Sequence, residues 1–176
     1  MSLSSEKNIG AYLHVEAGGP VTTQTAGGSP VQITTGAVID RLNPTYPAAG
    51  VVVSSAGAAL ASQDGSMELP LSASLVFAVT ATLANTHTLS LAIEVDHGTT
   101  NSPATALFTI SAATLGTIIT GNSGGTAQTV MVKVDVDLTG ANEYLTVKYT
   151  PTFSATSVDT VSVAPVWVFG GINQLP

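Results

Sequence analysis

Residues 130–150 read VMVKVDVDLTGANEYLTVKYT, and their pattern decides the fold class. Valine occupies every second position over 130–136, and mostly charged side chains stand between the valines. After a connection at 139–142, apolar residues alternate with threonine and lysine over 145–150. A period of two places one set of side chains on the buried face of a β-strand and the other set in solvent. The stretch therefore predicts two half-buried strands joined by a short connection.

The same alternation appears upstream. Apolar residues occupy the odd positions of Ala73–Leu83 and again of Thr88–Asp96, with threonine, serine and acidic residues among the others. The three residues at 84–86 read as a tight turn between them. We expect these two strands to form a hairpin.

The remaining segments complete an all-β chain. Val158–Phe169 becomes apolar on both faces towards its end, which is typical of a strand that is covered on both sides. No segment has a sustained helical period with a cap. Shorter strand candidates are Ala11–Glu16, Val31–Thr34, Ala37–Leu42, Val51–Ser54 and Leu107–Ile110.

Eight to ten strands in one chain of 176 residues must bury their apolar faces against each other. We predict an antiparallel two-sheet β-sandwich, most simply a jelly roll. Residues 11–169 form its single domain, with long irregular loops. Residues 1–10 and 170–176 lack the alternation and are predicted to be extended N- and C-terminal arms.

Composition limits the possible partners. Four basic residues stand against eleven acidic ones, giving a net charge of −7, so the chain cannot neutralise phosphates, and nucleic acid is not expected as a partner. The uncharged run Leu69–Ile93 is broken by Pro70, Asn85 and His87, so no membrane helix is expected. The absence of cysteine excludes disulfides and thiolate chemistry.

One string resembles an enzyme signature. GNSGG at 121–125 is similar to the nucleophile motif of trypsin-like serine proteases, and His87 and Asp96 precede Ser123 in that family's order. Asn122 replaces the aspartate of the motif, and His87 and Asp96 are too close in sequence for two barrels. Turn chemistry explains the same letters. We therefore expect no enzyme, no small-molecule substrate and no cofactor.

Two carboxylate pairs suggest a metal site. Glu94 and Asp96 share one strand face, as do Asp135 and Asp137, because residues i and i+2 point the same way. If the two strands were neighbours, the four carboxylates would suit Ca²⁺. The alternative is a solvated face on each strand, which the alternation with buried residues already explains. We favour the solvated face and predict no metal.

The aromatic residues allow two interpretations. A platform of exposed rings would indicate a carbohydrate-binding module, whereas burial would indicate ordinary core packing. Trp167 lies in the most apolar segment of the chain, which favours the core. The rings in question are Tyr12, Tyr46, Tyr144, Tyr149 and Trp167.

The candidate interaction residues lie in the arms and at the sole arginine. The arms carry scattered apolar side chains that a lone domain would leave in water, so we expect them to contact neighbouring chains. Arg41 is expected to form an ion pair with Asp40 or with a neighbouring subunit. The arm residues are Leu3, Ile9, Ile172 and Leu175.

Three motifs resemble one family. DLTGANEYLTV at 137–147 continues to the YTP sequence at 149–151, the chain closes on the VWVFGG sequence at 166–171, and an upstream IDR sequence stands at 39–41. Together these resemble the small β-sandwich virion proteins of tailed bacteriophages. Leu145-Thr146 stands where that family usually has a valine or isoleucine followed by arginine, so any role of that arginine does not carry over.

The resemblance implies a function of the capsid decoration, or cement, type. Such a protein is a homotrimer on the exterior of the virion head, is made in the host cytoplasm, and binds and stabilises the major capsid protein. A tail or neck component, and a receptor- or carbohydrate-binding β-sandwich module, are the alternatives.

Overall fold

A computed structural model describes residues 14–19, 21–26, 33–41, 70–155 and 158–170. These residues form eleven strands and one single-turn helix, α1 (Ala112–Leu115). The strands are β1 (His14–Ala17), β2 (Thr22–Thr25), β3 (Thr34–Thr35), β4 (Ile39–Asp40), β5 (Ser72–Thr82), β6 (Thr88–Gly98), β7 (Thr105–Ile110), β8 (Thr117–Thr120), β9 (Gln128–Asp137), β10 (Tyr144–Phe153) and β11 (Thr160–Gly170).

The strands form two antiparallel sheets. Sheet I has the order β11, β5, β9, with β1 and β2 both paired to the other edge of β11. Sheet II has the order β10, β6, with β3 and β4 on the far edge of β10 and β7 and β8 on the far edge of β6. The predicted β-sandwich is confirmed.

The pairing is nested, as in a jelly roll. The first strands, β1 and β2, pair with the last, β11, and the next, β3 and β4, pair with β10. Inside these, β5 pairs with β9 and β6 pairs with β7 and β8. Each half of the chain therefore folds back along the other, and consecutive long strands alternate between sheets.

This topology corrects the expected hairpin. The strands predicted at 73–83 and 88–96 exist as β5 and β6, but they lie in different sheets and pair with different partners. The strands of the opening stretch, β9 and β10, are likewise divided between the sheets. Both connections cross from one layer to the other. Alternation specifies which face of a strand is buried, but it does not specify the neighbour.

The core fills the space between the sheets. Inward side chains of β5, β6, β10 and β11 are almost fully buried, as their alternating burial shows. Trp167 is 0% exposed and stacks on Phe169 with ring centroids 5.3 Å apart, and Phe77 meets Tyr149 edge-on at 5.8 Å. The prediction that Trp167 is a core residue is confirmed.

Several short elements differ from the expectations. β2 was not among the strand candidates, and α1 was not foreseen. A single turn is too short for a helical period, and Ser111 caps it by accepting the Thr114 N–H. Gly170 ends β11 instead of beginning the tail. The N-terminal arm, residues 171–176 and the strand candidate at 51–54 lie outside the described residues.

Candidate functional site

The sandwich has two ends, which we name after a buried charged residue at each, Arg41 at one end and Asp159 at the other. The arginine end comprises Arg41, the starts of β5 and β10, the ends of β6, β9 and β11, and the β9–β10 turn. The aspartate end comprises Asp159, the β5–β6 turn and the loop from β8 to β9. The described motif residues that carry the family resemblance centre on the arginine end.

The Arg41 side chain binds backbone groups of two separate loops of its own chain. Its side chain is 3% exposed, and its guanidinium donates hydrogen bonds to the carbonyl oxygens of Ala141 (2.6 Å), Asn142 (3.0 Å) and Pro70 (2.5 Å). Its backbone N–H donates to the Glu143 carbonyl. Burial lowers the pKa of the guanidinium, but arginine stays charged in proteins. These contacts define the environment of the guanidinium, and the ion pair with Asp40 or with a neighbouring subunit stays a prediction.

Arg41 also joins two of the resemblance motifs. It is the last residue of the IDR motif at 39–41, and two of its acceptors belong to the turn of the motif at 137–147. Ile39 and Asp40 pair with Leu145 and Tyr144 of the same motif. Segments about a hundred residues apart in sequence are therefore one structural unit.

Polar groups surround this unit. His97 accepts the Asn142 N–H at its Nδ1 atom, at 3.0 Å. Tyr144 lies beside Glu143 and Asp40, whose negative charges, that of Glu143 first, raise the pKa of its phenol. The surface at this end is consequently acidic.

Two further carboxylates stand at the rim of the arginine end. The Ser74 hydroxyl donates to Asp135 at 2.5 Å, and Lys133 adds an ion pair at 2.9 Å, which together lower the pKa of Asp135. The Thr139 N–H donates to Asp137 at 2.8 Å and lowers the pKa of that carboxyl. Both carboxylates are exposed.

An open groove runs beside these carboxylates on the outer face of sheet I, where β11, β5 and β9 end. Gly170, the last residue of β11, forms part of its wall. Its side-chain lining comprises Ser72, Ser74, Asp135, Asp137 and Val168.

The outer faces of the two sheets differ in chemistry. The middle of the sheet I outer face is apolar: Val76 pairs with Val166, Ala78 pairs with Ala164, and all four are partly exposed. The outer face of sheet II instead carries mainly hydroxyl and charged groups. Lys148 there contacts both Glu94, at 3.0 Å, and Asp96, and hydrogen bonds from its ammonium group to Asp96 and to Glu94 raise its pKa.

The four carboxylates considered for Ca²⁺ are not neighbours. Glu94 and Asp96 lie on β6 in sheet II, whereas Asp135 and Asp137 lie on β9 in sheet I. Asp96 is also fully buried, because the pairing of β6 with β7 is irregular at Val95/Asp96 and Lys148 packs against its carboxylate. Within the described part of the chain, no three His, Asp or Glu side chains gather to hold a metal ion.

The aspartate end is organised by a residue that the sequence analysis did not single out. Asp159 is 1% exposed, accepts the Ala84 N–H at 2.7 Å and accepts a hydrogen bond from His87 Nδ1 at 2.7 Å. Its signal in the sequence is isolation, since it is the only charged residue after Lys148. A buried carboxylate needs such partners.

This geometry does not assemble the protease-like triad. The carboxylate partner of His87 is Asp159, whereas Asp96 lies on the outer face of sheet II against Lys148. The GNSGG string is a turn in which Asn122 Oδ1 accepts the N–H groups of Gly124 and Thr126. Turn chemistry therefore accounts for these letters.

The other candidate sites also resolve. Trp167 and Tyr149 are buried, and Tyr144 is partly exposed, so the three described rings form no exposed platform. The described residues contain no helix long and apolar enough to span a membrane. The arm residues Leu3, Ile9, Ile172 and Leu175, together with Tyr12 and Tyr46, lie outside the described residues.

No protein-family model and no curated protein sequence matches the chain. Among solved structures, it is similar to VP2 of infectious bursal disease virus: a subviral particle gives 10% identity, 89% coverage of this chain, 32% coverage of that chain and a TM-score of 0.45. The structure of the Gx strain of that virus gives 10% identity, 93% coverage of this chain, 33% coverage of that chain and a TM-score of 0.48. The K3 adhesin domain of Lys-gingipain from Porphyromonas gingivalis W83 gives 23% identity, 59% coverage of this chain, 60% coverage of that chain and a TM-score of 0.31. The chain spans about a third of VP2. TM-scores below 0.5 do not establish a shared family or function.

Proposed function

We propose that the chain is a non-enzymatic virion structural protein of a tailed bacteriophage, of the capsid decoration type. It binds the outer surface of the head, with the major capsid protein as its partner, and it stabilises the head as a homotrimer. The arms at 1–10 and 171–176 make contacts to neighbouring chains.

One observation carries the proposal. The IDR motif and the motif at 137–147 each resemble the tailed-phage family, and Arg41 ties them into one unit through the Ala141 and Asn142 carbonyls. Their contact gives the co-occurrence of the two motifs a physical cause, because the arginine needs the turn's carbonyls and the turn needs the arginine's donors.

The surface chemistry agrees with this role. Only 9% of residues are charged, so most of the surface carries hydroxyl, amide and small apolar groups, which lose less on desolvation than charges do. Decoration repeats a modest interface many times around a particle, and weak contacts then add through multivalency.

The test is location and copy number in particles. Particles from the host that makes this chain are purified, the chain is counted against the major capsid protein by quantitative mass spectrometry, and a cryo-EM map places it. We expect on the order of hundreds of copies on the head exterior, as repeated capsid contacts require. About a dozen copies or fewer on the tail or neck, or absence from particles, would overturn the proposal.

Rebinding provides the matched comparison. Purified chain is added to heads that lack it, and variants at the arms are compared with Val158→Asp, a change at an exposed position of the aspartate end. We expect Leu3→Asp/Ile9→Asp to lose head binding while Val158→Asp retains it. Equal binding by both variants contradicts the assignment of the arm, and binding to glycans instead of heads favours the receptor-binding alternative.

A further inference from the structure

We propose that the groove at the arginine end of sheet I binds residues 171–176 of a second copy of this chain. This inference rests on the proposed function, which has the C-terminal arm contact a neighbouring chain, and deepens it by naming the surface that the arm binds. It is tested on the isolated chain without heads, so that its failure is distinguishable from a failure to bind the head.

The first observation is an apolar strand face that no described residue covers. β11 is apolar on both faces near its end, and the sequence predicts such a strand to be covered on both sides. Trp167 and Phe169 meet the core, whereas Val166 and Val168 on the other face stay partly exposed among the described residues. Val76 extends the same surface on β5.

The second observation is the chemistry of the groove beside this surface. Val168 lines the groove, and the carboxylates of Asp135 and Asp137 bound it. Ser74 and Thr139 hold these carboxylates in place. A fitting ligand therefore offers apolar side chains together with hydrogen-bond donors, because a carboxylate only accepts.

Residues 171–176, GINQLP, have this chemistry. Ile172 and Leu175 supply apolar groups, and the amides of Asn173 and Gln174 supply donors for the two carboxylates. The segment contains no acidic side chain that the carboxylates would repel. It also starts at the groove, because Gly170 lines it.

The occupant comes from a second copy because of how β11 ends. Phe169 is flanked in the sheet by His14 of β1 and Ala73 of β5, so the chain cannot turn back beside β11 within the sheet. Returning over its own face means climbing a layer of about 10 Å, or roughly three residues at about 3.3 Å each. Ile172 is only two residues past Gly170, which is too few for such a return, so we assign the segment to the groove of a second copy. Exchange of such segments between identical copies is a low-cost route to an oligomer.

Cross-linking tests the contact directly, because the natural chain has no cysteine. One tagged copy carries Ser74→Cys in the groove and an untagged copy carries Ile172→Cys, and the mixture is oxidised with oxidised glutathione. We expect a covalent heterodimer of roughly 35 kDa, twice the 17.6 kDa of one chain, apart from the tag. The control is Ser90→Cys, which is similarly half-buried but on the outer face of sheet II; with Ile172→Cys it should give no heterodimer.

Sedimentation velocity tests the energetics on the isolated full chain. We expect Ile172→Asp/Leu175→Asp to raise the dissociation constant of the oligomer on the order of tenfold or more, as loss of central apolar contacts does. Val158→Asp at the opposite end is the control and should leave association unchanged. The melting temperature of the tail variant, measured where both proteins are monomeric, should equal that of the natural chain.

Four results overturn the proposal. The first is an intramolecular disulfide in a chain that carries both Ser74→Cys and Ile172→Cys, while the single variants give no heterodimer. That result would assign the groove to the chain's own segment. Another is equal cross-linking to Ser90→Cys. A natural chain that stays monomeric at every concentration is the third. The fourth is a lowered melting temperature of the monomeric tail variant, which places the segment in its own sandwich.

Discussion

The two ends of the sandwich are held by buried ions of opposite sign. At the arginine end, a cation donates to backbone carbonyls of two separate loops. At the aspartate end, an anion accepts from a backbone N–H and an imidazole of the β5–β6 turn. In a sandwich whose sheets are joined by layer-crossing loops, loop backbone groups lack strand partners, and one buried side chain at each end supplies them.

The surfaces of the two ends also differ. The arginine end carries the exposed carboxylates Asp135 and Asp137 and the exit of the chain at Gly170. At the aspartate end, the carboxylate among the described residues is Asp159, which is buried. The exposed carboxylates therefore distinguish the surface of the arginine end from that of the aspartate end.

The largest effect is expected at Asp159. Asp159→Ala removes the acceptor of the Ala84 N–H and leaves His87 without this hydrogen bond. We expect the free energy of unfolding, measured in urea, to fall by about 3–5 kcal/mol, as for other broken buried pairs. Asp159→Asn keeps an oxygen acceptor and should lose less. The control Asp135→Ala, at an exposed carboxylate, should change stability by no more than about 0.5 kcal/mol. A loss at Asp159 below about 1 kcal/mol would show that the pair does not hold this end.

Arg41 gives the next largest effect. Arg41→Met keeps much of the buried volume but leaves the Pro70, Ala141 and Asn142 carbonyls without their donor. We expect the free energy of unfolding in urea to fall by about 2–3 kcal/mol. Arg41→Lys should recover less than half, since one ammonium cannot span both loops. The exposed Lys133→Met is the control. Full recovery with lysine would show that charge alone matters.

Much of the fold is predictable from the sequence, because each long strand must bury one face. The alternation at 130–150 and at 73–96 located β9, β10, β5 and β6 to within a few residues. It did not identify their neighbours, since a strand in a hairpin and a strand that leads to the other sheet carry the same pattern. Short edge strands such as β2 have too few residues to show a period.

The candidate site was less predictable, because its contacts are long-range. Arg41 meets acceptors 100 and 101 residues away, and Asp159 meets a donor 75 residues away. Arg41 stands out in the sequence as the sole arginine, whereas Asp159, the only charged residue after Lys148, was not singled out. Pairing them with backbone groups requires the topology. The carboxylate pairs show the same limit, because sharing a strand face did not place them in one sheet.

A pair of glycine substitutions separates the two ends by mechanism. A β-carbon at Gly121, at the aspartate end, would lie 2.0 Å from the Ala84 carbonyl oxygen, whereas one at Gly140, at the arginine end, meets nothing within 4 Å. Gly121→Ala should therefore cost about 1–3 kcal/mol through overpacking. Gly140 has φ +79°, so Gly140→Ala should cost only about 1–2 kcal/mol of backbone strain, and Gly140→Asn less. Equal costs for alanine and asparagine at Gly140 would argue against strain.

Acid titration should affect the surface of the arginine end. The pKa values of Asp135 and Asp137 lie below the ordinary 3.8, so both favour the folded state above that pH, and their contribution is lost as the pH falls through the folded values. NMR titration of the carboxyl carbons checks this. Ser74→Ala should raise the pKa of Asp135 and leave Asp137 unchanged, because the Ser74 hydroxyl is the main cause for Asp135 alone. Unchanged titration of Asp135 contradicts the Ser74 bond.

The smallest expected difference between the two ends is which imidazole nitrogen of His87 and of His97 carries the hydrogen. A carboxylate only accepts, so His87 must carry its hydrogen on Nδ1 to bond Asp159. A backbone N–H only donates, so Nδ1 of His97 must be bare towards Asn142, and its hydrogen sits on Nε2. Nitrogen-15 spectra of the neutral imidazoles should therefore show opposite tautomers for the two histidines. The same tautomer at both histidines would contradict one of the two hydrogen bonds. The spectra of Asp159→Asn identify which one, because an amide can either donate or accept. We expect the His87 spectrum to change and the His97 spectrum to stay the same, because the two rings belong to opposite ends of the sandwich.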